Sequence, residues 1–442
     1  MGSEAAEISL KAIGKQDTYL LSKDSLFLPR DNFRHSNFIK YHRDRNITNP
    51  GVVEGWPFGQ TLKIDFNPKN MGDLLSNMWL SIKLPKLDDV VALTTNYADQ
   101  VGRHILKSIT MYVDEIEVEK IDDDWGIIHD ELYLEISEKV TNAYLLNRNL
   151  RFDNATLPGF SDLAKYETEL MIPIPFFFSR KYVSDEYKIN EPNKPYFPVC
   201  SIHKQKITFE LEFHKQSFFT DTFGSLTLDH FDLITEEITV SDEERVYMMG
   251  QPLKIITDFV KRHPSTTSKL GEPNVTNNLV PNIPVKCLHW FFRRETFEND
   301  SIARQSSVTN QEEYYYQNRF NFSTSPSFGV ATAFFQPVMK TGFLYLLGSR
   351  LPNITDATSH YYKYKIPSDT RLSIPTRNIY TYSFAIRPKN SDPSGVLDFS
   401  TIQSDKTIID MELNDVSNVY SMHMYYTGYQ TMKFENGFLR LD

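Results

Sequence analysis

The segment Lys206–Phe213, KITFELEF, constrains the fold more than any other in this chain of 442 residues. Ile207, Phe209, Leu211 and Phe213 fall on one side, and Thr208, Glu210 and Glu212 on the other. Successive side chains of a strand point to opposite faces, so this period of two describes a strand with one buried face and one wet face. The pattern recurs in TLKIDF, where Leu62, Ile64 and Phe66 oppose Thr61, Lys63 and Asp65. It recurs again in MWLSIKL, where Met78, Leu80, Ile82 and Leu84 share a face and Pro85 ends the run. KCLHWFF, TGFLYLL, IYTYSFAI and IIDMEL repeat it in the second half. With 31 Phe, 24 Tyr and 23 Pro, such strands separated by turn residues predict an all-β sandwich or barrel.

Helical signals are few. In DDWGIIHDELYLEISEK, Trp125, Ile128, Leu132 and Ile136 recur at roughly helical spacing, which predicts a helical insertion between strands. Near residue 241 a strand runs into Ser241, with Glu244 three residues on, then Gly250 and Pro252. That is a capping box opening a short helix that Gly and Pro close. Each side holds about 200 residues, enough for its own core, so two tandem β-sandwiches are expected. No short strict repeat suggests a solenoid or propeller. Long polar stretches at 141–170, 262–282 and 293–327 are expected to carry contacts.

The formal charge of −10 is spread along the chain and reads as solubility. Without a Lys/Arg-rich run, direct nucleic-acid binding is not expected. The two cysteines, Cys200 and Cys287, are too few for a disulfide framework or a zinc site and fit a reducing compartment. Six N-x-S/T sequons are close to chance in a chain this rich in Asn, Ser and Thr. No apolar signal segment is visible, and no run approaches the roughly 18 apolar residues of a membrane span.

No nucleotide loop, H-E-x-x-H, nucleophile elbow or H-x-H pair occurs. The densest polar cluster, Asp122, Asp123, Asp124, His129, Asp130 and Glu131, has the oxygens for a divalent cation. Carboxylates opening a helix are the commoner reason for such a cluster. His289, between Leu288 and Trp290, reads as a packed strand residue. In YSFAIRPKNSDPSGVLDFS, Tyr380, Tyr382, Phe384 and Ile386 are expected on one strand face, with Asp392, Pro393 and Gly395 fitting a type I turn. Arg387 and Lys389 there form a conceivable anion site, but a polar turn explains them better. No catalytic, cofactor-binding or metal-binding residue is assigned.

Ordered stretches resemble the double jelly-roll major capsid proteins of large eukaryotic DNA viruses (the iridovirus–phycodnavirus type). LKAIGKQDTYL, with Gly14, Gln16, Asp17 and Tyr19, is similar to the family's L-x-A-x-G-x-Q-D-x-Y-L. FRHSNFIK resembles its R-H-T-N-F through Arg34, His35, Asn37 and Phe38, with Ser36 in place of Thr. GDLLSNMWLSIKLPKL is similar to a D-L-x-x-x-x-x-L-x-I-x-L-P strand. VGRHILKSITMYVDEIEVEKIDDDWGIIHDEL, containing Trp125, resembles the next strand and insertion, with Asp114 and Glu115 where a glycine pair is usual. IPIPFFFSR, with Pro173, Pro175 and Phe176, resembles V-P-L-P-F-W-F. IPVKCLHWFF, with Pro284, Val285, Lys286 and Trp290, resembles H-P-V-K-x-L-x-W, Ile283 standing for His. The final match is to Y-S-F-A-L-x-P-x-x-x-x-P-S-G-x-x-N-F-S, through Tyr382, Ser383, Phe384, Pro388, Pro393, Ser394, Gly395, Phe399 and Ser400, with Asp398 in place of Asn.

The resemblance implies two tandem eight-stranded jelly-roll sandwiches with short helical insertions. It places an arm at 1–24 on the inner capsid face, jelly rolls at 25–240 and 253–442, and a linker helix at 241–252. The implied function is a major capsid protein, not an enzyme and without cofactor. Three chains would form a pseudo-hexameric homotrimer, and trimers would tile an icosahedral shell. Implied partners are neighbouring capsomers, minor capsid and penton proteins and, through minor proteins, an internal viral membrane. The implied location is the virion, with synthesis and assembly in the host cytoplasm. A scaffold of the same fold that shapes a viral membrane is an alternative. A glycan-binding or glycan-cleaving double sandwich would need a carboxylate pair in one cleft, and none can be picked out.

Overall fold

The computed structural model describes residues 38–87, 97–146, 167–180, 195–220, 222, 224–299, 319–324, 336–390, 393–402 and 407–441. Chain contacts separate Met1–Ile39 from a unit spanning Lys40–Asp442. Both sandwiches belong to the second unit.

The first half contains β1 (Phe38–Thr48), β2 (Thr61–Phe66), β3 (Leu74–Leu84), β4 (Leu106–Val113), β5 (Ile116–Asp122), β6 (Thr168–Pro173), β7 (Phe197–Pro198), β8 (Ile207–Phe213) and β9 (His230–Val240). Helices α1 (Val101–Ile105), α2 (Asp123–Leu132) and α3 (Ile136–Leu145) interrupt it. After α4 (Asp242–Gly250) come β10 (Leu253–Thr267), β11 (Asn274–Asn278), β12 (Pro284–Val285), β13 (Cys287–Arg294), β14 (Met339–Leu346), β15 (Ser349–Leu351), β16 (Tyr380–Ser383), β17 (Leu397–Asp398), β18 (Thr407–Leu413), β19 (Tyr420–Glu435) and β20 (Phe438–Leu441).

Strand order reveals a duplication that the residues hide. The first half forms the sheets β1-β9-β3-β6 and β2-β8-β4-β5. The second forms β10-β19-β13-β16 and β11-β18-β14-β15. With the short strands β7, β12, β17 and β20 set aside, each half numbers its strands one to eight. Both then read 1-8-3-6 facing 2-7-4-5, with the paired strands antiparallel. First and last strands pair only because the chain returns across the whole sandwich, as in a jelly roll.

Alternation puts the expected residues inside. Ile207, Phe209, Leu211 and Phe213 are buried, as are Met78, Leu80, Ile82 and Leu84. The second core gathers around Trp290, Tyr380, Met411 and Met422. The cores are not independent. Phe291, Tyr425, Met432 and Phe434 of the second sandwich join the apolar cluster of the first, and the Phe197 and Phe434 rings lie 5.8 Å apart. Helix α4 links the halves without burying a residue of its own. The Ser241 hydroxyl accepts from Glu244 N at 3.5 Å, and Arg245 is anchored on Asp73 at 2.7 Å.

The insertion is two helices rather than one, because Glu135 opens α3 with its own capping box to Glu138. The strand expected through Ile386 stops at Ser383. Phe384 N and Ala385 N both donate to the Lys286 carbonyl, at 2.8 and 3.2 Å, which ends the ladder in a bulge-like turn. Alternation is lost there: Ala385 is buried and Ile386 is 75% exposed.

Gly428 of β19 has a steric cause. A Cβ built there would overlap the Pro284 carbonyl oxygen and lie 2.7 Å from the Phe259 ring. Gly428→Ala should therefore destabilise the second sandwich by about 1–3 kcal/mol, the usual cost of overpacking, as read by chemical denaturation.

Candidate functional site

Among the described residues, a densely connected polar region lies where the two sandwiches meet. Helix α2 begins at Asp122, whose carboxylate accepts from Trp125 N at 2.8 Å and caps the helix. Asp123 and Asp124 follow in the first turn, where carboxylates complement the helix dipole. Each of the three then meets a partner. The Tyr425 hydroxyl donates to Asp122 at 2.7 Å, His214 Nε2 lies 2.8 Å from Asp123, and Arg293 is paired with Asp124. Tyr425 and Arg293 belong to the second sandwich, so the helix start is fastened across the junction.

Arg293 also donates to the Arg319 carbonyl at 2.6 Å and reaches Glu298 at 3.3 Å. Glu298 holds His423 at 2.6 Å. A cleft of about 640 Å³ opens beside this network, lined by Lys107, Lys120, Glu212 and Arg262 among others. Its charges are mixed in sign. Among the described residues, no group of three or more His, Cys, Asp or Glu side chains is placed to hold a metal ion. The acidic cluster opens a capped helix and faces the arginines Arg293 and Arg262.

Further fasteners share the same plan. Arg377 of the second sandwich donates to Gln100 at 3.0 Å and lies 3.6 Å from Glu131, both in the first. Glu131 accepts from Thr376 N at 2.9 Å and from its hydroxyl at 2.8 Å. Arg180 is paired with buried Glu119 and reaches the Asp258 carbonyl at 3.5 Å across the junction. Tyr133 and His289 meet at 3.0 Å, and His289 contacts Thr381 at 3.0 Å. Burial pushes the Glu119 carboxyl up to about 7 despite Arg180, and pushes His289 down to about 3. The arrangement fixes one sandwich against the other.

Family profiles match nearly end to end. "Major capsid protein N-terminus" covers residues 32–247, and "Large eukaryotic DNA virus major capsid protein" covers residues 244–437. The chain belongs to the major capsid proteins of large eukaryotic DNA viruses. This capsid protein is similar in fold to VP54 of PBCV-1, at 14% identity and a TM-score of 0.68, covering 94% of this chain and 99% of that one. The Faustovirus major capsid protein is similar at 10% identity and a TM-score of 0.62, covering 93% of each chain. No curated protein sequence matches this one. It has a double jelly-roll fold, and the major capsid proteins of its family are virion components that assemble with other capsid components.

The motif residues of the capsid protein scatter through this frame. Gly14, Gln16, Asp17, Tyr19, Arg34, His35, Asn37 and Asp392 lie outside the described residues. Phe38 opens β1 and is exposed. Trp125 sits at the junction, its ring 5.9 Å from His289 and 6.0 Å from Tyr425. The Pro173 and Pro175 carbonyls accept from Arg103 at 2.6 Å and Arg180 at 2.9 Å, and Phe176 packs between Phe178 and Phe209. Pro284 and Val285 form β12 against Asp398 and Leu397. Lys286 is buried on Asp258 and donates to the Pro388 carbonyl at 3.0 Å. Trp290 meets the Tyr362 ring at 5.2 Å. Tyr382, Phe384 and Phe399 form a chain of rings at 5.2 and 5.8 Å, and the Ser383 hydroxyl donates to the Ala385 carbonyl at 2.7 Å.

In the terminal motif Pro393 is exposed, the Ser394 hydroxyl accepts from Arg387 N at 2.9 Å, and Gly395 takes a φ of +132° that other residues rarely adopt. Ser400 donates to Asp398. Lys389 is buried, so Arg387 and Lys389 present no common anion site. Sequence reasoning missed Arg180, Arg293 and Arg377. For Arg180 and Arg293 the legible signal was an arginine within two residues of an apolar run, as in FFFSR and WFFRR; Arg377, in IPTR, carries no such signal.

Proposed function

We propose that three copies of this capsid protein form a pseudo-hexagonal homotrimer, and that such trimers tile an icosahedral shell. The observation that carries this reading is one strand order repeated in two sandwiches that buried ion pairs hold together. Three such chains offer six similar wedges, so one block can sit among six neighbours in a closed arrangement. Apolar side chains on the surface support extensive contacts. Ile136, Val140 and Tyr144 form an exposed stripe along α3, and Val246 and Tyr247 stand out from α4.

On this reading the protein is architectural and catalyses nothing. The motif residues act structurally, Trp125 and Lys286 by filling the junction and its neighbourhood, Ser394 by holding its segment against Ile386 and Arg387; residues 393–396 are irregular rather than the expected type I turn. Domain limits of 25–240 and 253–442 with a linker at 241–252 suit it. Residues 1–24 would run along the inner face and meet minor capsid proteins, and through them an internal membrane. Neighbouring capsomers and penton proteins would complete the shell, with synthesis and assembly in the host cytoplasm.

Size-exclusion chromatography with light scattering should give the mass of three chains at micromolar concentration; a clean monomer would overturn the trimer. Mass spectrometry of purified virions should find this chain among the most abundant species. Near absence would instead mark a discarded scaffold.

A further inference from the structure

The second sandwich contains a buried pair whose chemistry shell building does not require. Before β16 the chain makes a π-helical turn, Tyr361–Lys365, a wide turn that recurs at functional sites. It sets Lys363, 3% exposed, against Asn378, 1% exposed. Lys363 Nζ donates to Asn378 Oδ1 at 2.9 Å and to the Thr376 carbonyl at 3.3 Å. The Asn378 amide group donates to the Phe322 and Gln336 carbonyls at 3.0 and 3.1 Å, which clamps the carboxamide in place.

Burial pulls the Lys363 ammonium down to about 8, against the opposing charge of Glu131. About a tenth of the side chain is then neutral amine at pH 7, far more than for an exposed lysine. A desolvated lysine amine is a competent nucleophile. Glu131 acts on this pair from the first sandwich. Its carboxylate is fastened to Thr376, whose carbonyl holds Nζ.

We propose that Lys363 and Asn378 become joined by an intramolecular isopeptide bond. The neutral Nζ attacks the Asn378 carboxamide carbon, which the existing hydrogen bond to Oδ1 keeps within reach. The Nζ–Cγ bond forms and the Cγ–Nδ2 bond breaks. The proton shed by Nζ departs on Nδ2, and ammonia leaves. No oxidant or cofactor takes part. Glu131 is a positioning residue, setting the charge around the amine and the place of its carbonyl partner.

The link would tie the π-helical turn to the segment entering β16 and restrict the unfolded chain, as a disulfide does. Sulfur supplies no such link, since Cys200 and Cys287 are both free and buried. An amide cross-link would also persist under reducing conditions.

Intact-mass spectrometry of the denatured full chain, with peptide mapping, tests this. The chain should be lighter than its sequence mass by one ammonia, and its digest should yield a branched peptide joining Lys363 to Asn378. Lys363→Arg and Asn378→Ala should each return to their own full sequence masses. In freshly folded protein the linked fraction should grow faster as the pH is raised towards 8, and Glu131→Gln should alter that profile. Folded wild-type protein of full sequence mass overturns the proposal. So does loss of ammonia without the branched peptide, which is the outcome if asparagine cyclises on its own backbone.

Discussion

Arg293→Ala should destabilise the capsid protein by about 3–5 kcal/mol, the cost of removing one partner from a buried ion pair. Arg293 is 6% exposed and Asp124 is 2% exposed, so alanine would strand a carboxylate beside two other acidic side chains in one helical turn. The Arg319 carbonyl and Glu298 would lose a donor as well. At about 2–4 °C per kcal/mol for a unit of this size, the melting temperature should fall by on the order of 10 °C. Removing both ends, as Arg293→Met with Asp124→Leu, should recover part of the loss, because the Asp124 carboxylate is no longer stranded while the Arg319 carbonyl and Glu298 still lack their donor. Disruption of the exposed pair Lys63–Glu210 should leave the melting temperature unchanged. Equal effects at the buried and exposed pairs would mean that the junction is not a fastener.

Which elements were legible in the sequence depends on which interactions have a local signature. Alternation needs only neighbours in sequence, so the strand at Ile207–Phe213 and its buried face could be read directly. The capped helix after Ser241 was legible for the same reason, since cap and first turn are three residues apart. The end of β16 was not. It depends on Phe384 and Ala385 both bonding the Lys286 carbonyl, nearly a hundred residues away, and no periodicity encodes that. The junction was half legible. Asp122 was readable as a helix start, but Arg293 and Tyr425 are brought to it only by the fold. Both halves share one strand order without any strict short repeat, because topology constrains only which positions are apolar.

Stability against pH should show a plateau between about pH 4.5 and 6.5, bounded by a gentle decline above and a steep loss below. The shape comes from opposing groups at the junction and beside it. Burial raises Glu119 to about 7, and burial with mutual repulsion raises Asp122 and Asp123. A raised carboxyl binds its proton more tightly when folded, so its contribution is complete below the ordinary carboxylate range and is lost as pH rises. Burial lowers His104, His129 and, to about 3, His289. A lowered histidine contributes above about pH 6.5 and loses that contribution as pH falls. Three groups of each kind roughly cancel across the plateau. Below it the carboxyls cease to compensate. Asp130 and Glu298, held near 2 by Arg103 and Arg293 against their own burial, then add to the acid loss.

His289 isolates one of these terms. It is fully buried, hydrogen-bonds Tyr133 across the junction and Thr381 beside it, and is disfavoured as a cation further by Lys286. His289→Gln keeps a hydrogen-bonding side chain but cannot take up a proton. The plateau should then tilt, with stability rising towards acid by about 1.4 kcal/mol per pH unit below about pH 6.5. Denaturant melts at half-unit pH steps measure that slope. If the variant and the parent run parallel, His289 takes up its proton equally well folded and unfolded, and the dry contact between the sandwiches is not as closed as its geometry requires.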